Sequence, residues 1–157
     1  MSRNRCLLDE RTESSQAPVD SDHDHMTSIA MDVDHAEVTA APLRILYVED
    51  NAIVREVTSE LLAQQRREVV ALATAEEALH EFKERRYDVV ITDVSLPVMS
   101  GIDLARNILR LKPETSIIIA SGYALAPVES MGPKVRTIVK PFEASQIDSL
   151  ITDLCTA

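Results

Sequence analysis

Between Leu43 and Leu154 the chain alternates short apolar runs with segments whose apolar residues return every three or four positions. The runs are "LRILYV" (43–48), "EVVALA" (68–73), "YDVVIT" (87–92), "TSIIIA" (115–120) and "VRTIV" (135–139), each the length of a strand. The segments between them predict amphipathic helices. Val54, Val57, Leu61 and Leu62 mark one face of the first. Ala75, Ala78, Leu79 and Phe82 mark the second, which opens on the capping-box pair Thr74 and Glu77. The third uses Leu104, Ala105, Ile108 and Leu111 and stops before Pro113; the last uses Ile147, Leu150, Ile151 and Leu154. Apolar strands alternating with amphipathic helices predict an α/β fold, a doubly wound five-stranded parallel sheet covered on both faces. In that architecture ligands bind outside the carboxyl ends of the strands.

Residues 1–42 break the pattern. They carry three Arg against nine Asp and Glu, which is −6 of the chain's −10, and no apolar periodicity. Such a segment cannot bury enough surface to offset its ordering entropy, so a disordered acidic tail is expected ahead of a domain at 43–157. "DSDHDHM" (20–26) with Asp32, Asp34 and His35 offers metal-capable side chains, but the spacing matches no zinc signature. Met26 and Met31 are candidates for the translation start.

Charge and composition narrow the function classes. A net charge of −10 disfavours non-specific binding to nucleic acid or to an anionic membrane, and favours a basic protein or a metal cation. No apolar run approaches the roughly 20 residues of a membrane span, so no membrane insertion is expected. The "CLL" at 6–8 is too short for a signal-peptide core. Cys6 and Cys155, near opposite ends, make no disulfide framework, and a cytoplasmic protein is expected. With 3% aromatics and no Trp, the core should be aliphatic.

The strand ends carry the candidate chemistry. The first ends in Glu49 and Asp50, the third in Asp93, the fourth in Ser121, and the fifth in Lys140 followed by Pro141. Three carboxylates converging on one rim repel one another, and a hard divalent cation with oxygen ligands relieves that; magnesium suits the count. A hydroxyl and an ammonium beside it supply donors for a phosphoryl oxyanion. Taken singly, an acidic pair, a Ser-Gly or a Lys-Pro is an ordinary turn. Specificity lies in their order, each at the end of its own strand.

In that order, "ILYVEDN", "DVVITDVSLPVMSGIDL", "IIIASGY" and "IVKPFEASQI" resemble the receiver domain of two-component response regulators over residues 43–154. The resemblance implies a flavodoxin-like strand order 2-1-3-4-5 and Asp93 as phosphoacceptor. It implies Mg2+ held by Glu49 and Asp50, with Asp50 the direct ligand, together with Asp93 and the backbone carbonyl of Ser95. Ser121 would be the switch hydroxyl, Lys140 would pair with phosphorylated Asp93, and the Lys140–Pro141 bond would be cis. Pro97 would shape the loop and Gly101 let the next helix begin close to Asp93. The implied donor is a histidine kinase or a histidine phosphotransfer protein. The implied role is that of a stand-alone regulator that switches a protein contact or relays the phosphoryl group, catalysing only its own phosphorylation and slow dephosphorylation.

The stretch from Ser121 to Lys140 departs from the family. It is short and broken by Pro127, Gly132 and Pro133, so a shortened or irregular fourth helix is expected around Ala124–Met131. Thr137 stands where many receivers carry an aromatic switch residue. Tyr123 is either a shield for the phosphoryl group or an ordinary loop residue. "SGY" and "KPF" are more similar to receivers of hybrid sensor kinases than to chemotaxis-type regulators. Ending at Ala157, the chain leaves no room for a DNA-binding module, so output is expected through an unidentified protein target rather than DNA. The competing class is a receiver-fold interaction module that does not need phosphorylation. A flavodoxin would need a phosphate-cradling loop at Glu49-Asp50, and an aspartate-based phosphatase an acid at Ser95.

Overall fold

The computed structural model describes residues 41–125 and 128–157. The expected acidic tail, with its Asp and His candidates, Met26 and Met31, lies outside the described residues apart from Ala41 and Pro42. So does Pro127.

The strands are β1 (Leu43–Val48), β2 (Arg67–Leu72), β3 (Val89–Asp93), β4 (Ser116–Ser121) and β5 (Val135–Val139). They form one parallel sheet in the order β2-β1-β3-β4-β5, the order expected. Four α-helices are found among the described residues: α1 (Ala52–Leu62), α2 (Ala75–Glu84), α3 (Gly101–Leu111) and α4 (Ala144–Thr156). Register aligns the carboxyl ends: Val48 pairs with Leu72 and Thr92, Asp93 with Ala120, and Ser121 with Val139. The chain leaves β1 for one edge of the sheet and returns at β3 to build the other. The β1–β3 boundary is therefore the switch point, where such sheets leave a crevice.

Alternating strand residues feed two cores, one per face. Leu46, Val48, Ile117 and Ile119 pack with α2 and α3 through Ala78, Phe82, Leu104 and Ile108. Ile45, Tyr47, Ile118 and Ala120 pack on the other face with Leu62 of α1 and with Ile147, Ile151 and Leu154 of α4. Each fully buried Val, Leu or Ile side chain contributes about 2 kcal/mol of apolar transfer, so the three central strands hold the fold together. The edge strands β2 and β5 are only partly buried. Thr74 caps α2 by accepting from the Glu77 N–H at 3.2 Å, as the capping pattern predicts.

Two of the apolar periods are only partly covered. The apolar stripe of α1 faces the core only at its C-terminal end: Leu62 is buried and Leu61 packs against the core, while Val54 and Val57 are exposed, joined by Ile53 at 74% exposure. Leu111, a member of the apolar period of α3, is also exposed. In both cases the apolar period is real, but only part of it is covered by the core.

Among the described residues between β4 and β5 stands one 3-10 turn, Val128–Met131, in place of a long helix, as expected. Val128 is buried, and Leu125 and Met131 pack against the α2–α3 core, so three apolar residues cover what a full helix would.

Candidate functional site

β1 runs into α1 across only Glu49, Asp50 and Asn51. Asn51 caps the helix, its Oδ1 accepting from the Ile53 and Val54 N–H groups at 3.0 and 3.1 Å. That tight passage holds the acidic pair at the strand's mouth. Glu49 is 2% exposed and Asp50 exposed. Arg55, one helical turn on, donates to the carbonyls of Glu49 (2.7 Å) and Asp50 (3.2 Å) and secures their backbone.

Asp93 closes β3. Its Oδ1 accepts from the Ser95 N–H at 3.3 Å, and its Oδ2 lies 3.1 Å from Lys140 Nζ. The helix that follows begins very close to it. A Cβ on Gly101 would lie 1.9 Å from the Asp93 carbonyl oxygen, so only glycine fits there. The Gly101 N–H donates to Val94 O at 3.1 Å, and the buried Thr92 hydroxyl donates to the Asp93 carbonyl at 3.0 Å.

Lys140 follows β5, its backbone N–H donating to Ser121 O at 2.7 Å and its bond to Pro141 cis. Its ammonium bridges two carboxylates, donating to Glu49 Oε2 at 2.6 Å as well as pairing with Asp93. Burial alone would lower the Lys140 pKa; the bonds to Glu49 and Asp93 outweigh it and hold the ammonium above the ordinary value of 10.5. Beneath the site, burial pushes the Tyr47 hydroxyl up to about 12, with the charges of Glu49 and Asp93 adding to the rise.

The structure thus brings Glu49, Asp50, Asp93 and Lys140 together. The three acids each offer a carboxylate oxygen within 4.8 Å of the others. An all-oxygen acidic donor set is the chemistry of a hard cation such as Mg2+. Both oxygens of Glu49 are engaged, Oε1 by the Asn51 N–H (3.2 Å) and Oε2 by Lys140, which leaves Asp50 and Asp93 the freer ligands. Ser95 enters through its N–H. Ser121, 1% exposed at the end of β4, accepts from the Tyr123 N–H at 3.2 Å and is not bonded to the acids. The Tyr123 ring is exposed, and so is Thr137 on β5. Sequence reading overlooked Arg55, Asn51 and Thr92. Asn51 was findable as a cap residue ahead of an apolar period, whereas nothing in the spacing singles out Arg55 or Thr92.

Lys140→Ala should destabilise the fold by about 2–3 kcal/mol in metal-free buffer, because it strips the cation from a buried Glu49. The contribution is fully present below pH 10.5 and is lost as pH rises through the higher folded-state value. Urea unfolding of both proteins at pH 7 and pH 9 should give the same gap; coincident midpoints would deny Lys140 this role.

Residues 45–152 match the family model of the response regulator receiver domain. Over 108 residues the chain is 32% identical to the chemotaxis protein CheY of Thermotoga maritima, covering 66% of this chain and 90% of that one. It is 32% identical over 115 residues to the two-component response regulator PhoP of Pseudomonas aeruginosa, covering 71% of this chain but only 51% of PhoP. The crystal structure of the response regulator TrrA of Thermotoga maritima, in complex with Mg(2+)-BeF, superposes with a TM-score of 0.65 at 29% identity, covering 71% of this chain and 98% of that one.

Proposed function

The chain belongs to the response regulator receiver family, and on that premise we propose that Asp93 accepts a phosphoryl group from the phosphohistidine of a histidine kinase or phosphotransfer protein. The observation that carries this reading is the pairing of Asp93 with Lys140 at 3.1 Å inside a cluster of three carboxylates at the switch point. Family membership makes it a phosphoacceptor signalling domain.

Asp93 attacks as a carboxylate, one oxygen lone pair forming the O–P bond while the N–P bond breaks and its electrons return to the histidine ring. No proton leaves Asp93. The Ser95 N–H and the Lys140 ammonium orient the nucleophile, and Lys140 offsets charge on the transferring oxygens. Asp50 and Asp93, with the Ser95 carbonyl and the flanking Glu49, would hold Mg2+, which when bound supplies further charge neutralisation for the phosphoryl oxygens. Once Asp93 is phosphorylated, the Ser121 hydroxyl turns from Tyr123 to donate to a phosphoryl oxygen, and Lys140 follows, which shifts a conformational equilibrium. Output follows by protein contact or by relay of the phosphoryl group.

A cleft beside the site supports this reading as the donor's docking place. It measures about 400 Å3 and is lined by Tyr47, Val54, Val57, Lys140, Pro141 and Phe142. Its apolar wall is the α1 stripe that the core leaves exposed, which gives that stripe a use. A titration with beryllofluoride and Mg2+ followed by amide NMR tests the site. Shifts centred on Asp93, Ser121 and Lys140 are expected; an unchanged spectrum would leave a phosphorylation-independent interaction module as the better account.

A further inference from the structure

Arg55 ties down the whole turn from β1 into α1. Its Nη1 donates to the carbonyls of Glu49 at 2.7 Å and Asp50 at 3.2 Å, and its backbone N–H donates to the Asn51 carbonyl at 2.9 Å. Three consecutive carbonyls therefore rest on one half-buried residue. The helix itself asks for only the last of these bonds. Its first turn is already capped by the Asn51 side chain, which accepts from the Ile53 and Val54 N–H groups. The two guanidinium bonds reach back past that cap to the acidic pair. Ordering so long a side chain costs rotamer freedom, about 2 kcal/mol at most, for bonds the helix does not need.

The acids show what those bonds serve. Glu49 is fixed through its side chain, Oε1 by the Asn51 N–H and Oε2 by Lys140. Asp93 is fixed in the same way, by the Ser95 N–H and Lys140. The exposed Asp50 carboxylate has neither a hydrogen bond nor an ion pair among the described residues. Its place is set by its backbone, and Arg55 holds that backbone. We propose that Arg55 is a positioning residue for Asp50, keeping its carboxylate beside Glu49 and Asp93 so that a hard cation binds without first having to order the turn. The inference rests on the reading of these three acids as a Mg2+ site and adds the residue that prepares it. Charge and geometry here predict opposite signs. A guanidinium beside the acids repels a second cation, so if Arg55 acted by charge alone, removing it would tighten Mg2+ binding. If it acts by holding Asp50, removing it weakens binding.

Mg2+ titrations of the full chain, followed by NMR through the Asp93 and Ser95 amides, read the Kd without any phosphoryl transfer. Arg55→Met should raise that Kd about tenfold, the usual cost of losing a group that orients a metal ligand. The amides of β4 and α4 should stay at their wild-type positions, which separates lost positioning from lost structure. Arg55→Lys keeps the charge, but its nitrogen stops one bond short of Nη1, so the longer bond, to the Asp50 carbonyl, is lost. Its Kd should rise about threefold, the worth of one modest hydrogen bond, and this variant decides the matter should the Met variant not fold. A folded Met variant that binds Mg2+ as tightly as wild type, or more tightly, overturns the proposal. So does a Lys variant indistinguishable from wild type. If the wild-type chain binds no Mg2+, the reading of the acids as a cation site falls and this inference falls with it; a wild type that binds, with Arg55 indifferent, sinks only the second.

Discussion

Replacing Asp93 by Asn is expected to abolish phosphoryl labelling and to leave the protein folded. The amide oxygen carries no formal charge and is a poor nucleophile, so no O–P bond forms; the loss should be complete within detection. The fold tolerates the change because Asn can still accept from the Ser95 N–H. Lys140 keeps its shorter bond, the 2.6 Å contact to Glu49. Removing one of three neighbouring carboxylates relieves repulsion while removing one ion pair, and the two effects oppose each other. Stability should therefore change by no more than about 1 kcal/mol. Phosphate-affinity electrophoresis after transfer from a panel of phosphorylated kinases, with a thermal melt of each protein, reads both quantities. Equal labelling of wild type and variant would refute the assignment of Asp93.

Gly101→Ala should have the opposite profile, with damage to fold and site together. The added Cβ would meet the Asp93 carbonyl oxygen at 1.9 Å, its carbon at 2.8 Å and Thr92 Oγ1 at 2.9 Å. Two of these are backbone atoms, which cannot rotate aside. Either α3 retreats, breaking the Gly101 N–H bond to Val94 O, or the end of β3 is displaced and carries Asp93 away from Lys140. A loss of about 3 kcal/mol or more is expected, with labelling reduced even where the variant remains folded. Urea denaturation and labelling at 10 °C check both. A midpoint matching wild type would show that α3 moves without resistance.

Much of this arrangement is legible from residue order. Apolar runs separated by helical periods are enough to place five parallel strands, and β1 and β5 fall where their runs do. β3 starts two residues late because Asp88 turns back on β1, accepting from the Arg44 N–H at 2.8 Å and donating its own N–H to Arg44 O at 2.9 Å. No hydropathy pattern encodes that exchange. The exposed half of the α1 stripe has a different cause. Periodicity reports that a helix has an apolar side, and it is silent on whether core or partner covers it. At the site, the acids and Lys140 were readable because each ends a strand. Arg55 was not, because it acts on backbone carbonyls brought near by the turn at Asn51.

The alternation in β1 carries a constraint on how this chain can evolve. Ile45 and Tyr47 face one core, Leu46 and Val48 the other, and the acidic pair sits at the end of that count, with Glu49 enclosed and Asp50 open to solvent. Neighbouring strand residues point to opposite faces, and the two acids that follow the strand differ in burial. Inserting or deleting one residue in β1 would reverse the faces of the strand residues on one side of the change and shift the core side chains relative to the acids that follow Val48. Substitutions among Ile, Leu and Val leave that parity intact. Drift in this strand is therefore tolerated in composition and forbidden in length.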